Sequence, residues 1–174
     1  MHFLIVQDYK ENRRKCTLTA LESRTDFTFR RLEHPSRSAE KVEVGPGILL
    51  EIDAPPLSRG DAQLVAAGSL VIVDSTWARV PKVLGRLRVT EGACLQRRRI
   101  PDGFLTAYPR MSKLHSDPPD GLASVEAIFA ATAILGEPLP DLLGHYHWAR
   151  EFLWRNQEIL RKLSEESIPP SLVT

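Results

Sequence analysis

Residues 70–79 read Leu-Val-Ile-Val-Asp-Ser-Thr-Trp-Ala-Arg, so four apolar residues lead directly into Asp74, Ser75, Thr76 and Trp77. A short, continuous apolar run is typical of a strand buried on both faces of a parallel sheet. Open α/β sheets bind their ligands beyond the carboxyl ends of such strands. The four residues after the apolar run are therefore candidates for a binding or catalytic site. The same pattern also fits an ordinary turn, with Trp77 packed in the core.

The hydropathy pattern of the remaining chain indicates the elements that would position this site. Strands are predicted over residues 2–7, 27–32, 48–52, 70–73 and 103–108. Helices are predicted over residues 58–67, 80–88, 124–135, 139–144 and 147–163. Residues 33–47 contain several Pro, Gly and Ser and are predicted to be irregular. The order of these elements predicts an α/β half followed by a helical half.

Basic residues are concentrated in one segment, although the formal net charge of the chain is only +1. Residues 79–113 contain nine Lys or Arg and two acidic residues. A run of three arginines, Arg97 to Arg99, is expected on the connection between the strands at 70–73 and 103–108. A second, smaller basic cluster comprises Lys10, Arg13, Arg14 and Lys15. Such patches indicate either a nucleic-acid contact or a solvated surface without a partner, and the two interpretations carry equal weight.

The composition argues against several broad classes of protein. The chain has 174 residues, of which 43% are apolar and 26% charged, as is ordinary for a globular protein. No apolar run approaches the roughly 20 residues of a membrane span. The apolar start is too short for the core of a signal peptide and lacks a basic region before it. Two cysteines, Cys16 and Cys94, predict no disulfide framework and a reducing, cytoplasmic compartment.

Common nucleotide-binding and catalytic motifs are missing from the sequence. There is no Gly-x-Gly-x-x-Gly, no Walker A loop and no Gly-x-Ser-x-Gly elbow. His145-x-His147 has no third ligand close in sequence, so no metal site is predicted. Cys94 precedes a basic run that would lower the pKa of a thiol, but no histidine partner is assigned to it, and a nucleophilic role is not expected.

Eight short segments follow one another in order between residues 4 and 160. They are Arg14-Lys15-Cys16-Thr17, Gly47-Ile48-Leu49-Leu50, Pro55-Pro56-Leu57-Ser58-x-x-Asp61, Val73-Asp74-Ser75-Thr76-Trp77-Ala78-Arg79, Arg99-Ile100-Pro101, Leu105-Thr106-Ala107-Tyr108-Pro109, Leu122-Ala123-Ser124-Val125-Glu126-Ala127 and Trp148-x-x-x-Phe152-Leu153-x-x-Asn156. This ordered set resembles the aminocarboxypropyltransferases of the DTW-domain superfamily. It is most similar to the branch that modifies a small-subunit rRNA uridine during ribosome biogenesis, whose Asp-Cys-Ser-Trp corresponds to Asp74–Trp77 here.

The sequence departs from that family's pattern in three places. The family's Asn-Pro-Val-Asn-Tyr-Gly is replaced by residues 107–113, and an acidic insertion follows at residues 115–120. The Cys-Asp-Pro element before the basic loop is replaced by residues 8–11. By the resemblance, these segments adjoin the amino acid tail of the cofactor and the RNA, so the departures bear on the identity of the substrate.

The resemblance implies a SPOUT-like fold, with a parallel five-stranded sheet, a trefoil knot and an α-helical C-terminal half. Residues 1–98 would form the α/β domain that binds S-adenosylmethionine (SAM), and residues 99–174 a mainly helical domain that completes its pocket. The implied reaction transfers the 3-amino-3-carboxypropyl group of SAM to a uridine-type base in rRNA. The same transfer onto tRNA is one alternative, and a non-catalytic RNA-binding protein of ribosome assembly is another.

The resemblance also implies roles for individual residues. Thr17 would contact the ribose, and Trp77 would form an apolar wall whose aromatic face favours the sulfonium cation. Asp74 would either accept the proton from a uridine N3 or orient the turn, and Glu126 would either hold the loop before its helix or interact with the helix dipole. The adenine pocket and the far wall are assigned to Leu49, Leu50, Val73, Leu105, Ala107 and Tyr108. Contacts with RNA are assigned to Arg14, Lys15, Arg97, Arg98 and Arg110.

Overall fold

Seven β-strands and five α-helices are found in a computed structural model that describes residues 1–14, 16–38, 40–109, 117–119 and 121–166. The strands are β1 (His2–Gln7), β2 (Phe27–Arg31), β3 (Val42–Val44), β4 (Gly47–Leu50), β5 (Ser69–Asp74), β6 (Leu87–Val89) and β7 (Leu95–Arg98). The α-helices are α1 (Ala62–Ala66), α2 (Val80–Leu84), α3 (Ser124–Leu135), α4 (Ala149–Arg155) and α5 (Gln157–Glu165). Short 3-10 helices occupy Thr19–Leu21, Arg59–Asp61, Trp77–Arg79 and Pro140–Leu143.

Five parallel strands form the central sheet in the order β2-β1-β5-β4-β7. β5 lies between β1 and β4, and its residues Leu70, Val71 and Ile72 are at most 4% exposed. A parallel sheet is covered on both faces, which explains why this strand is continuously apolar. The predicted α/β class, the five-stranded parallel sheet and the burial of this strand are confirmed.

Two clusters of buried apolar side chains cover the two faces of the sheet. Leu70 and Ile72 belong to the larger cluster and Val71 to the smaller one, as expected because successive strand residues point to opposite faces. The larger cluster includes Ile128 of α3 and Phe152 of α4. Residues on both sides of the predicted domain boundary at residue 98 therefore pack in the same apolar core.

The prediction of a strand over residues 103–108 is wrong, and the fifth strand of the sheet is β7. The backbone N–H and C=O of Leu105 bond to the side chain of Asn156, and the N–H of Ala107 bonds to Glu126. Hydrogen bonds to side chains thus satisfy backbone groups that, in a strand, would bond to a neighbouring strand. The polar sequence of β7 gives little strand signal, but β7 pairs along the free edge of β4.

The boundaries of several other elements also differ from the prediction. Residues 33–47 contain β3, which pairs with β6 in a separate two-stranded parallel sheet. The helix predicted over residues 80–88 ends at Leu84, because the chain turns at residues 85–86 into β6. The helix predicted over residues 147–163 is divided into α4 and α5 at Asn156. The helix predicted over residues 124–135 is observed as α3.

Candidate active site

The carboxyl ends of β1 and β5 lie side by side, with Gln7 opposite Asp74 in the register of the two strands. From β1 the chain continues to β2 at one edge of the sheet, and from β5 it later reaches β7 at the other edge. Where the connections that follow two neighbouring parallel strands run toward opposite edges of the sheet, a crevice forms at the carboxyl ends of these strands. Open α/β proteins bind their ligands in this crevice. Asp74 therefore lies where this fold favours a site.

The Asp74 carboxylate is only 5% exposed and accepts hydrogen bonds at both of its oxygens. Oδ2 accepts from Gln7 Nε2 at 3.0 Å and from Cys16 Sγ at 3.1 Å. Oδ1 accepts from Ser124 Oγ at 2.7 Å. β1, the loop after it and the start of α3 thus converge on one carboxylate. These donors stabilise the buried charge.

The loop that follows β1 is fixed by Cys16 and Thr17. Burial raises the pKa of the Cys16 thiol to about 12, and the negative charge of Asp74 adds to the effect. The thiol therefore stays protonated and donates its hydrogen bond at neutral pH. Thr17 Oγ1 accepts from the Val125 N–H at 3.3 Å, which places Thr17 at the N-terminus of α3, beside Ser124.

Two further ionisable side chains belong to this region: Glu11 interacts with Asp74, and Tyr108 interacts with Glu11 and Cys16. Burial raises the pKa of the half-buried Glu11, and the charge of Asp74 raises it further. Burial likewise raises the pKa of Tyr108, and the charge of Glu11 adds to it. The Glu11 and Asp74 carboxylates give this part of the molecule a negative character that suits a cationic ligand. Glu11 was not among the residues predicted to form the site.

Trp77 begins the 3-10 helix that follows β5, and its ring packs against the backbone of Gly121. A Cβ added to Gly121 would lie 2.6 Å from Cζ2 of the indole, well inside van der Waals contact. Only glycine therefore permits this approach, and the segment before α3 holds one side of the half-buried ring.

The residues predicted to form the far wall are held by two buried polar side chains. Asn156 accepts from the Leu105 N–H at 2.7 Å and donates to the Leu105 carbonyl at 2.8 Å. Glu126 accepts from the Ala107 N–H at 2.8 Å. Ala107 is buried and Tyr108 half-buried, whereas 55% of Leu105 is exposed. An exposed leucine beside a fixed backbone is well suited to contact a ligand.

Glu126 is fully buried and accepts four hydrogen bonds. Their donors are Thr106 Oγ1 (2.5 Å), Ala107 N–H (2.8 Å), Ala123 N–H (2.8 Å) and Tyr146 Oη (2.8 Å). Burial and the charge of Glu126 raise the pKa of Tyr146, which remains a donor. Both interpretations of Glu126 fit the structure, since this carboxylate fixes residues 106–107 beside the start of α3 and, as an acid of the first turn, accepts from the Ala123 N–H.

Asp8 and Arg79 form a buried ion pair that the sequence analysis missed. Asp8 is 1% exposed, and its carboxylate accepts from Arg79 Nη2 at 2.9 Å and from Ser75 Oγ at 3.0 Å. Burial opposes ionisation of Asp8, but Arg79, the Lys10 N–H and Ser75 outweigh it and lower the pKa of this carboxyl. The backbone N–H of Asp8 donates to the Asp74 carbonyl at 3.0 Å. Asp8 directly follows an apolar strand, the same signal that identified Asp74.

The predicted adenine-pocket residues lie on both faces of the sheet. The side chains of Leu49 and Val73 pack with the smaller apolar cluster, and that of Leu50 packs with the larger one. Leu49 and Leu50 therefore point in opposite directions at the end of β4. A single pocket at this end of β4 would therefore be lined by the side chain of one of these two leucines and by the backbone of the other.

The Arg97 and Arg98 side chains project from β7, a strand that was not predicted within the connection between residues 73 and 103. Arg98 forms an ion pair with Asp61 at 2.9 Å, and its side chain is 21% exposed. Arg97 pairs with Glu51 at 2.9 Å, and 62% of its side chain is exposed. Arg98 is thus tied into the structure, whereas Arg97 remains accessible.

The other predicted RNA contacts fall partly outside the described residues. Arg14 is exposed in the loop after β1, where its backbone N–H bonds to Asn12 Oδ1 at 3.0 Å. Lys15 and Arg110 lie outside the part of the chain that the structure describes. Their assignment to RNA binding stays a prediction.

Neither a metal-ligand cluster nor a membrane helix is found in the described ranges. No group of three or more His, Cys, Asp or Glu side chains there could hold a metal ion. None of the helices described is both long and apolar enough to cross a membrane.

A family model described as "Ribosome biogenesis protein, C-terminal" matches residues 48–171. The matched region is well over half of the chain and contains Asp74, Trp77 and Glu126. The chain belongs to this family. Among curated proteins, no significant match is found.

This ribosome biogenesis family member also has the fold of a solved structure. The chain is similar to the SAM-dependent rRNA:acp-transferase Tsr3 from Vulcanisaeta distributa, with a TM-score of 0.64 and 21% sequence identity. The match covers 95% of this chain and 84% of that chain. At this identity the likeness establishes the shared fold, including both the sheet and the C-terminal helices.

Proposed function

We propose that this protein transfers the 3-amino-3-carboxypropyl group of SAM to a uridine-type base in rRNA. The observation that carries the proposal is the meeting of two segments, Asp74–Trp77 and Leu105–Tyr108, beside the start of α3. The membership in a ribosome biogenesis family and the fold shared with an rRNA:acp-transferase support the same reaction.

The residues at this position fit the chemistry of SAM, which carries a sulfonium and an ammonium group. Asp74 and Glu11 supply negative charge, and Trp77 and the exposed Leu105 supply aromatic and apolar contacts. An aromatic face attracts a cation, so Trp77 would favour the sulfonium over a neutral thioether. Thr17, which lies in the loop after β1 beside the N-terminus of α3, would contact the ribose.

When bound, SAM would supply a carbon of its aminocarboxypropyl chain to a base nitrogen, the C–S bond would break to release methylthioadenosine, and the proton of that nitrogen would pass to solvent water. The protein must align that carbon with the nitrogen and keep the methyl group away from it. We assign Asp74 to positioning rather than to proton abstraction, because three donors already occupy its oxygens. The protonated Cys16 thiol would help to fix this carboxylate.

The finer features of the family are proposed along with the reaction. We assign the chain to the DTW-domain and SPOUT-like proteins, with the trefoil knot that this implies. The helical segment after residue 98 would complete the pocket formed by the α/β segment, and ribosome assembly would place the protein in the cytoplasm.

The deciding experiment compares SAM labelled in its carboxyl group with SAM labelled in its methyl group, each incubated with separated rRNA and tRNA. We expect the carboxyl label in rRNA and no methyl label in either RNA, with Trp77→Ala as the inactive control. Carboxyl label confined to tRNA would select the tRNA alternative. SAM-independent RNA binding without transfer would select the non-catalytic protein of ribosome assembly.

A further inference from the structure

A cavity of about 180 Å³ lies between the loop after β1, the segment after β2 and helix α2. Tyr9, His34, Lys82 and Arg86 line it, together with the Asp8–Arg79 ion pair. This volume is below the roughly 300–1,000 Å³ of a typical small-molecule site, so SAM does not fit it. A cavity of this size can hold one small polar group.

The charges that line this cavity favour an anion. Asp8 and Arg79 neutralise each other, which leaves Lys82 and Arg86 as two positive charges in excess. Arg86 donates through Nε to the carbonyl oxygen of Glu40 at 2.8 Å, which is a neutral acceptor, and forms no ion pair with any residue that the structure describes. Lys82 is exposed and has no ion pair within the described residues.

His34 adds a hydrogen-bond donor to the lining. Its Nδ1 accepts from the Ser36 N–H at 3.1 Å and contacts Ser36 Oγ at 2.7 Å. An Nδ1 that accepts a hydrogen bond leaves the proton of a neutral imidazole on Nε2. The Tyr9 ring lies edge-on to His34, with a centroid distance of 4.9 Å, and Arg79 covers the Tyr9 ring. The cavity therefore combines a packed Tyr9–Arg79 wall and the apolar side chains of Leu32, Pro35 and Val83 with the donors of His34, Lys82 and Arg86.

The cavity adjoins the candidate active site through Asp8. The Asp8 N–H bonds to the Asp74 carbonyl, and Ser75, which follows Asp74, donates to the Asp8 carboxylate. An RNA strand that presents a base beside Asp74 would place a neighbouring phosphate within reach of this cavity. We propose that Lys82, Arg86 and His34 hold a phosphate group of the RNA substrate in this cavity, which rests on the proposed function in rRNA modification.

The test compares Lys82→Gln and Arg86→Gln with Arg88→Gln. Arg88 lies on β6 near α2 and loses the same charge, but its side chain is 70% exposed, pairs with Glu43 and does not line the cavity. Binding of a fluorescent 20-nucleotide oligouridylate is titrated at several salt concentrations. Each cavity variant should weaken binding several-fold and lower the slope of log K against log salt by about 0.7, the value for one lost contact with single-stranded RNA. Arg88→Gln should retain the wild-type values.

Equal effects of Lys82→Gln and Arg88→Gln, or no effect of either, would overturn the proposal, since long-range charge alone would then suffice. Because Lys82 is exposed, Lys82→Gln should keep the wild-type melting temperature, and Lys82→Arg should restore binding. Inorganic phosphate is titrated by calorimetry in parallel. Tight phosphate binding that Lys82→Gln abolishes, with RNA binding intact, would make this a site for free phosphate and refute the RNA assignment.

The same variants separate this inference from the proposed function. If wild-type protein transfers the carboxyl label of SAM and the cavity variants bind RNA normally, only the phosphate cavity is refuted. If wild-type protein transfers no label but the cavity variants lose RNA affinity as expected, only the transferase activity is refuted.

Discussion

The Cys16 thiol donates a hydrogen bond to Asp74 Oδ2 at 3.1 Å, although 58 residues separate the two in sequence. This contact closes the loop after β1 onto the end of β5, where Ser124 joins from α3. Burial and the neighbouring carboxylate raise the pKa of the thiol to about 12, so Cys16 is a hydrogen-bond donor and not a nucleophile.

Alkylation should distinguish the two cysteines, because the thiolate is the reactive form. At pH 8, only about one Cys16 thiol in 10⁴ is ionised when its pKa is near 12, so iodoacetamide should label the exposed Cys94 far faster. The rate at Cys16 should still rise with pH between pH 9 and 11. Peptide mass spectrometry measures both rates, and protein unfolded in guanidinium provides the control. Comparable labelling of the two cysteines in folded protein would contradict the buried donor role.

Asp74→Asn should test whether this carboxylate positions the site. An asparagine can keep its oxygen toward Gln7 and Cys16 by turning its amide nitrogen to Ser124, whose hydroxyl must then accept instead of donate, and the charge that strengthens all three hydrogen bonds is lost. We expect a loss of about 1–3 kcal/mol in the free energy of unfolding and weaker SAM binding. The exposed Asp53→Asn serves as the control. The residual transfer rate should keep its pH profile, and disappearance of the acidic limb would instead identify Asp74 as the base.

Gly121→Ala should weaken SAM binding by displacing the Trp77 ring, although Gly121 itself is not predicted to contact the cofactor. The new methyl group would lie 2.6 Å from the Trp77 ring, which must move. A side chain forced off its rotamer costs about 0.5–1.5 kcal/mol, or roughly two- to tenfold in Kd. Calorimetric titration with SAM measures the change. In the control Gly85→Ala, the added Cβ meets nothing closer than 3.6 Å. Wild-type affinity in Gly121→Ala would mean that Trp77 does not contact the cofactor.

Glu126→Gln should destabilise the protein, because the backbone N–H of either Ala107 or Ala123 would face the new amide nitrogen, whereas the Thr106 or Tyr146 hydroxyl can rotate to accept from it. Leaving one buried donor unsatisfied costs about 1–3 kcal/mol, which is the loss in unfolding free energy that we expect. Denaturant unfolding measures it against the exposed Glu137→Gln. A loss below about 1 kcal/mol would show that residues 106–107 are held by other contacts.

Arg97→Ala and Arg98→Ala should have different effects, although the two residues are adjacent. Arg98→Ala leaves the buried Asp61 without its ion-pair partner and should cost about 1.5–3 kcal/mol of stability. Arg97→Ala removes a pair in which the arginine is 62% and its Glu51 partner 18% exposed, and should change stability by about 1 kcal/mol or less. Arg97→Ala therefore tests RNA contact cleanly, through weaker binding and a flatter salt dependence. An unchanged salt slope would remove Arg97 from the RNA contacts.

The strands β1, β2, β4 and β5, the helix α3 and the position of Asp74 at the carboxyl end of a buried strand were predictable from the sequence. Each depends on a local pattern: an apolar run, a helical period, or a polar residue at a strand end. The same rule applied to β1 would have identified Asp8. Glu126 was predicted to be either a loop anchor or a first-turn acid, and its four donors show that it is both.

What the sequence determined by itself was the class of fold and the carboxyl end of β5 as the place where a site is expected, because apolar periodicity is encoded locally. Only the tertiary structure decided how distant residues meet: β7 as the edge strand, Asn156 against Leu105, Cys16 against Asp74, and Arg79 against Asp8. The reason is that a polar side chain carries no local signal of its partner. Its partner is fixed by the buried donors and charges that remain unsatisfied when the sheet and helices pack.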